Sequence, residues 1–286
     1  MASTSKIWLI TGTASSLRSL ERLKDLEGTN DNLRLLQIDV TDGPNIITAK
    51  VMDCLSSRTP FWGRLDVIVN NAGVNYLGLL EEGGSAFLWR QFDVNVFGVM
   101  DVTTAALPHL RAQKQGTAII MGSRSAWIPE FPPRKEPGPS AGSYTSSKAA
   151  VHALAEAFGS ELVSLNIRVL LVEPSAFRTG ILEAKGTMDG LRPKHPITDY
   201  DETQAKVLSI FESPQSLVSL TPGDPVKVME AVVDVVQGEG VAKGKPWPTY
   251  LVLGSDAEKA ILAKTEKLKS HMEEWTEVAR GLNSRE

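Results

Sequence analysis

Leu65–Gly73 reads LDVIVNNAG. A short β-branched run stops at two amides, an alanine and a glycine. Six residues of that kind are too few for a buried helix and suit a strand buried on both faces, with a turn where the polar residues begin. Similar runs recur on either side: Lys6–Thr11 (KIWLIT), Leu33–Val40 (LRLLQIDV), Thr117–Met121 (TAIIM), Ile167–Val172 (IRVLLV) and Tyr250–Leu253. Helical patterns lie between them. Leu17, Leu20, Leu23 and Leu26 fall on one face of a helix starting near Ser15 or Ser16, and further helices are predicted over Asn45–Arg58, Phe87–Gln113, Tyr144–Leu165, Pro225–Val236 and Asp256–Ala279. Strands alternating with helices imply an α/β fold, a doubly wound, mostly parallel Rossmann-like sheet covered on both faces.

At 286 residues the chain suits a single domain over 1–286. The stretch 180–250, rich in Pro, Gly and polar residues, is expected to be a substrate lid within that domain, because loops after strand C-ends carry the site in such folds. A net charge of −4 with no dense basic stripe argues against nucleic acid. No apolar run reaches membrane-spanning length, and the chain opens into a strand rather than a signal peptide. Cys54 is the lone cysteine, and the four histidines are scattered at 109, 152, 195 and 271. Neither a disulfide nor a metal site is expected, and a reducing, cytoplasmic setting fits.

The chemistry is expected around Tyr144-Thr-Ser-Ser-Lys148. A spacing of four puts phenol and ammonium on one helical face, where the cation favours the phenolate and brings the phenol toward the range for proton transfer. Such a pair is common by chance. Here other polar groups gather at strand C-ends or on the helices that follow: Asp39-Val40, Asn70-Asn71-Ala72-Gly73, Asn95 in FDVNVFG, Ser123 after TAIIMG, and Glu173-Pro174-Ser175-Ala176-Phe177-Arg178-Thr179. That is the crevice where open α/β sheets bind ligands.

In their order and context these segments resemble the short-chain dehydrogenase/reductase family, most firmly over about Leu33 to Thr179. The tail segments Asp199–Thr203, Pro222–Pro225 and Leu253–Asp256 resemble fungal members, some of which act in secondary metabolism. The resemblance implies an oxidoreductase using NADP or NAD. Tyr144 would exchange a proton with a substrate carbonyl or hydroxyl. Lys148 would lower its pKa and bind the nicotinamide ribose, Ser123 would hold the substrate oxygen, and Asn95 would anchor a water that relays protons to Lys148. Gly12, Asp39, Asn71, Ala72, Gly73, Lys148 and Thr179 would line the cofactor. Ser125 is a rival for Ser123, and a packing amide is the plain alternative for Asn95. The resemblance further implies a homodimer or homotetramer built on helices 87–113 and 144–165.

Three departures stand out. The family's opening Thr-Gly-x-x-x-Gly-x-Gly is here Thr11-Gly12-Thr13-Ala14-Ser15-Ser16-Leu17-Arg18, so of its glycines only Gly12 matches. Those glycines let backbone approach the pyrophosphate and let the helix pack on the sheet. Gly12 to Asn70 is 58 residues, short by one helix-strand unit, roughly 20 residues. LRLLQIDV is then expected beside the first strand, with Asp39 reaching a ribose hydroxyl or the adenine, or else merely capping the strand end. Ser123 and Tyr144 lie 21 residues apart, lengthened by a Pro-rich segment, Glu130–Ser140, that with Trp127 and Phe131 could wall the substrate pocket. Two other functions stay open: a redox-neutral enzyme (dehydratase, isomerase or cyclase) without cofactor, and a non-catalytic relative.

Overall fold

The computed structural model describes residues 6–12, 24–25, 27, 35–56, 64–127, 141–179, 195–211, 213, 221 and 223–282. Among them, five strands form one all-parallel sheet whose spatial order follows the chain: β1 (Trp8–Thr11), β2 (Val67–Asn70), β3 (Gly116–Met121), β4 (Ile167–Pro174) and β5 (Tyr250–Leu253). Trp8 is in register with Val67, Val67 with Thr117, Thr117 with Arg168, and Leu171 with Tyr250. All four residues of β2 are buried, as expected of a central parallel strand whose faces are both covered.

Alternation along the strands sorts the core into two layers. Ile68, Ala118, Ile120, Val169 and Leu171 face one side, where they meet α1 (Pro44–Ser56), α3 (Gly98–Gln113) and α4 (Gly142–Leu162). Val67, Val69, Ile119, Leu170 and Val172 face the other, against Val232, Val235 and Val236 of α6 (Pro225–Gln237). Helix α6 shows why it starts and stops where it does: the Asp224 side chain accepts from Val226 N, Pro225 occupies the first turn, and Gly238 takes the left-handed conformation after the last turn. α5 (Asp201–Phe211) follows β4 in the chain and forms a small cluster with Leu77 and Ala141 through Val207 and Leu208, and the chain continues to α7 (Ser255–Glu274) and α8 (Thr276–Arg280).

Two expectations need correction. Leu33–Val40 does not form a strand in its described part: residues 35–39 lack regular structure and the chain turns at Val40–Thr41. Ile38 and Val40 pack against the first core layer instead, and Val40 lies so close to α3 that a Cβ on Gly98 would sit 2.9 Å from its own Cβ. The apolar alternation is satisfied by covering helices, not by pairing with a neighbour. No described strand pairs with the outer edge of β1, and Ile10 is left 57% exposed. The single helix predicted over Phe87–Gln113 is three elements: α2 (Leu80–Phe92), a π-helical turn (Asp93–Phe97) and α3. α2 starts earlier than its sequence suggests and carries a kink at Gly84, whose φ of 56° with ψ of −162° suits glycine alone. The helix expected near residues 15–27 and the Pro-rich segment 130–140 lie outside the described residues, apart from helical positions 24, 25 and 27. No described helix is long and apolar enough to cross a membrane.

Candidate active site

The C-terminal ends of β1 and β2 are held together by one hydroxyl. Thr11 Oγ1 donates to Val69 O at 3.2 Å and accepts from Asn71 N at 3.1 Å and Ala72 N at 3.2 Å. The turn Asn71-Ala72-Gly73 is therefore pinned to the end of β1, beside Gly12, where an added Cβ would meet only Asn71 Nδ2 at 3.9 Å. Gly12 is exposed. Thr11 carries this arrangement without having been singled out in the sequence. The signal was its place as the last strand residue before a glycine.

Two buried amides fix the segment that follows. Gln91 Nε2 donates to Val74 O at 2.8 Å and its Oε1 accepts from Tyr76 N at 2.9 Å. One turn on, Asn95 Oδ1 accepts from Val74 N at 2.9 Å, while Nδ2 donates to Val74 O and to Ser147 Oγ, both at 3.0 Å. Asn95 thus has no side-chain hydrogen left to offer a relay water. What it does is splice the loop after β2 to the first turns of α4. Ser147 completes the splice by donating to Tyr144 O at 2.7 Å. Ser143 Oγ ties the same helix start to Tyr76 O at 3.0 Å.

That helix start presents the phenol. Tyr144 lies in the first turn of α4, and Ser123, which follows β3 directly, is the side chain close enough to its phenol to pull the pKa down. Ser123 is buried, adopts extended backbone and caps the 3₁₀ turn Arg124–Ala126 by accepting from Ser125 N at 3.1 Å. Ser123 rather than Ser125 therefore meets the tyrosine. Lys148 is buried with Nζ 2.6 Å from Met121 O, to which it donates, and 5.8 Å from the centre of the Tyr144 ring. Burial pushes the Lys148 ammonium down to about 8. Burial also pushes the Tyr144 phenol up, with the Ser123 hydrogen bond pulling the other way. In this geometry burial is the largest influence on the phenol, and Lys148 is not among the groups that shift it.

The remaining candidates lie further out. Asp39 is exposed, and its Oδ1 accepts from Thr41 N at 2.9 Å and Thr41 Oγ1 at 2.7 Å, contacts that hold the carboxyl below its usual range. Thr179 is exposed beyond β4, just after the bridge between Phe177 and Gly223. Ser175, where the family carries glycine, is bonded through its N–H to Leu253 O at 2.8 Å, and its Cβ fills the space left by Gly254. Arg124 pairs loosely with Asp256 at 3.9 Å. No cluster able to hold a metal occurs among the described residues.

The profile described as short chain dehydrogenase matches residues 6–190. The oxidoreductase BOA17 of Botryotinia fuckeliana (strain B05.10) is 28% identical over 96% of this chain and 98% of its own length. The oxidoreductase YusZ of Bacillus subtilis (strain 168) is 29% identical over 61% of this chain, which spans only 58% of that relative. Among solved structures, a short-chain dehydrogenase from Streptomyces avermitilis superimposes with a TM-score of 0.76 at 27% identity, over 98% of this chain and all of the other.

Proposed function

This chain belongs to the short chain dehydrogenase family of oxidoreductases, and we propose that it interconverts a ketone and a secondary alcohol on a small organic molecule with NADP or NAD, Tyr144 giving or taking the proton. The observation that carries the reading is the grouping of Ser123, Tyr144 and Lys148 at the C-end of β3 and the start of α4.

The chain's residues fit a nicotinamide cofactor. An ammonium has three hydrogens, and Lys148 gives one to Met121 O, so its others suit ribose hydroxyls. The exposed Gly12 and the pinned turn Asn71-Ala72-Gly73 suit a ligand lying across the ends of β1 and β2. Thr179 would bond the carboxamide or pyrophosphate, and Asp39, kept ionised by Thr41, would meet a ribose or adenine. When bound, the nicotinamide supplies or accepts the hydride at its C4.

The protein's part is proton handling. A phenol pushed above its usual pKa is protonated at neutral pH, so Tyr144 stands ready to donate to a carbonyl oxygen as that oxygen gains charge. Ser123 steadies the same oxygen. The reverse reaction, alcohol oxidation, would have Tyr144 take the proton as phenolate. Asn95, Gln91 and Ser147 act through position, holding the α4 start.

A redox-neutral reaction is the second reading. It is favoured by Asp39 being turned onto Thr41. The test is consumption of NADH and NADPH against a panel of ketones and secondary alcohols. Change in reduced nicotinamide that depends on the organic compound supports the oxidoreductase, and conversion of the compound in cofactor-stripped protein supports the alternative. A second copy is the proposed partner: Trp89 and Phe97 stack at 5.6 Å on the exposed side of the α2–α3 unit, with Met100 nearby in sequence and also exposed. Light scattering on the wild type and a Trp89→Glu variant checks it. A reducing, cytoplasmic setting is proposed from the lone Cys54.

A further inference from the structure

Glu173 has no part in the chemistry above, yet it is 1% exposed, and a buried carboxylate is costly unless it is paired. Its Oε1 accepts a hydrogen bond from Trp127 Nε1 at 2.8 Å and meets His152 Nδ1 at 2.9 Å. Trp127 closes the 3₁₀ turn that Ser123 opens. His152 stands on α4 one turn past Lys148 and two past Tyr144. With Glu156 these residues recur every four positions and share one stripe of the helix. The stem of Glu173 runs beneath the end of β3: a Cβ on Gly122 would lie 3.4 Å from its Cγ. One carboxylate thus touches the turn that carries Ser123 and the helix that carries Tyr144.

The surroundings hold it there. The Trp127 ring stands edge-on to His152 at 5.1 Å, and His152 stacks on Tyr250 of β5 at 5.5 Å. Nε2 of His152 lies 3.4 Å from Glu156, which also accepts from the Tyr250 hydroxyl. The Glu173 hydrogen bond, aided by Glu156, keeps the imidazole above its usual pKa.

We propose that Glu173 is a positioning residue that, through Trp127 and His152, straps the Ser123 turn to α4 and so sets where Ser123 stands against Tyr144. The proposal rests on the reading of Ser123 and Tyr144 as the reacting pair and deepens it. Apolar side chains of similar size could fill the same space. What they could not do is fix two separate elements at hydrogen-bond distances from one oxygen.

The test needs neither substrate nor cofactor. Protein labelled with ¹³Cζ-tyrosine carries four tyrosine signals, and Tyr144→Phe assigns the one of interest. In Ser123→Ala the Tyr144 titration midpoint is expected to rise by about one pH unit, the loss of one hydrogen bond to the phenolate. Glu173→Gln and Trp127→Phe are each expected to raise it by at least half that amount, and neither adds to the shift in a Ser123→Ala background. Trp127→Phe, which removes one hydrogen-bond donor and leaves the charge pair, serves if Glu173→Gln does not fold. A wild-type midpoint in the folded strap variants, with Ser123→Ala shifted, overturns the strap alone. A wild-type midpoint in Ser123→Ala overturns the Ser123–Tyr144 contact, and the strap with it.

Discussion

Replacing Lys148 by Met separates what this lysine does for chemistry from what it does to stability. The ammonium is buried, and its folded pKa is about 8 against an ordinary 10.5. At ~1.4 kcal/mol per pH unit, that difference corresponds to about 3 kcal/mol of destabilisation when the group is charged in both states. Met removes the charge, keeps most of the stem volume and loses the hydrogen bond to Met121 O, worth about 1 kcal/mol. Lys148→Met is therefore expected to be about 2 kcal/mol more stable than wild type at pH 7, or roughly 4–8 °C in Tm, while losing turnover. The sign with pH follows from the depressed pKa. Below about 8 the lysine is charged folded and unfolded, and the penalty is complete. Between about 8 and 10.5 the folded protein has released a proton that the unfolded chain keeps, so wild-type stability rises relative to the variant. Urea unfolding of both proteins at pH 7 and pH 10, without cofactor, measures the difference, and other titrating groups cancel. The gap should close to within about 1 kcal/mol at pH 10. A variant less stable than wild type at pH 7, or a gap unchanged at pH 10, refutes the reasoning.

Thr11→Val removes an acceptor shared by the N–H groups of Asn71 and Ala72. A loss of about 2 kcal/mol in urea unfolding is expected, with weaker quenching of Trp fluorescence by reduced nicotinamide. Asn95→Leu leaves Val74 N without its acceptor and unties Ser147; about 2–4 kcal/mol should be lost by the same measurement. Ser123→Ala keeps the fold and cofactor affinity but should lower kcat by about 10²-fold, and a change in KM alone would count against it.

Sequence and structure agree where one face of an element meets one layer. The VIVN and TAIIM runs read as strands because alternation feeds two cores at once, and Tyr144, Lys148 and Ser123 stand out in the sequence because they fall at a strand end and a first helical turn, where the structure also places them. Leu33–Val40 misled because Ile38 and Val40 satisfy the same alternation by lying on α1 and α3. Periodicity records burial, not the hydrogen-bonding partner. α2 was hidden by Gly83-Gly84, which lower helix propensity and here mark a kink. The pinning by Thr11, the amide clamps of Gln91 and Asn95, and the Trp127–His152–Glu173 cluster join residues far apart in the chain, so no local pattern reveals them. Nor does spacing reveal that burial, rather than the nearby ammonium, dominates the titration of Tyr144.

The central claim is that Tyr144 moves the proton in a nicotinamide-linked reaction. Its most direct test is the rate of reduced-nicotinamide consumption, with a carbonyl compound that wild type turns over, in wild type and Tyr144→Phe, alongside fluorescence titration of cofactor into both. The account predicts unchanged cofactor affinity and turnover reduced by at least about 10²-fold. Turnover in Tyr144→Phe within about twofold of wild type would contradict it.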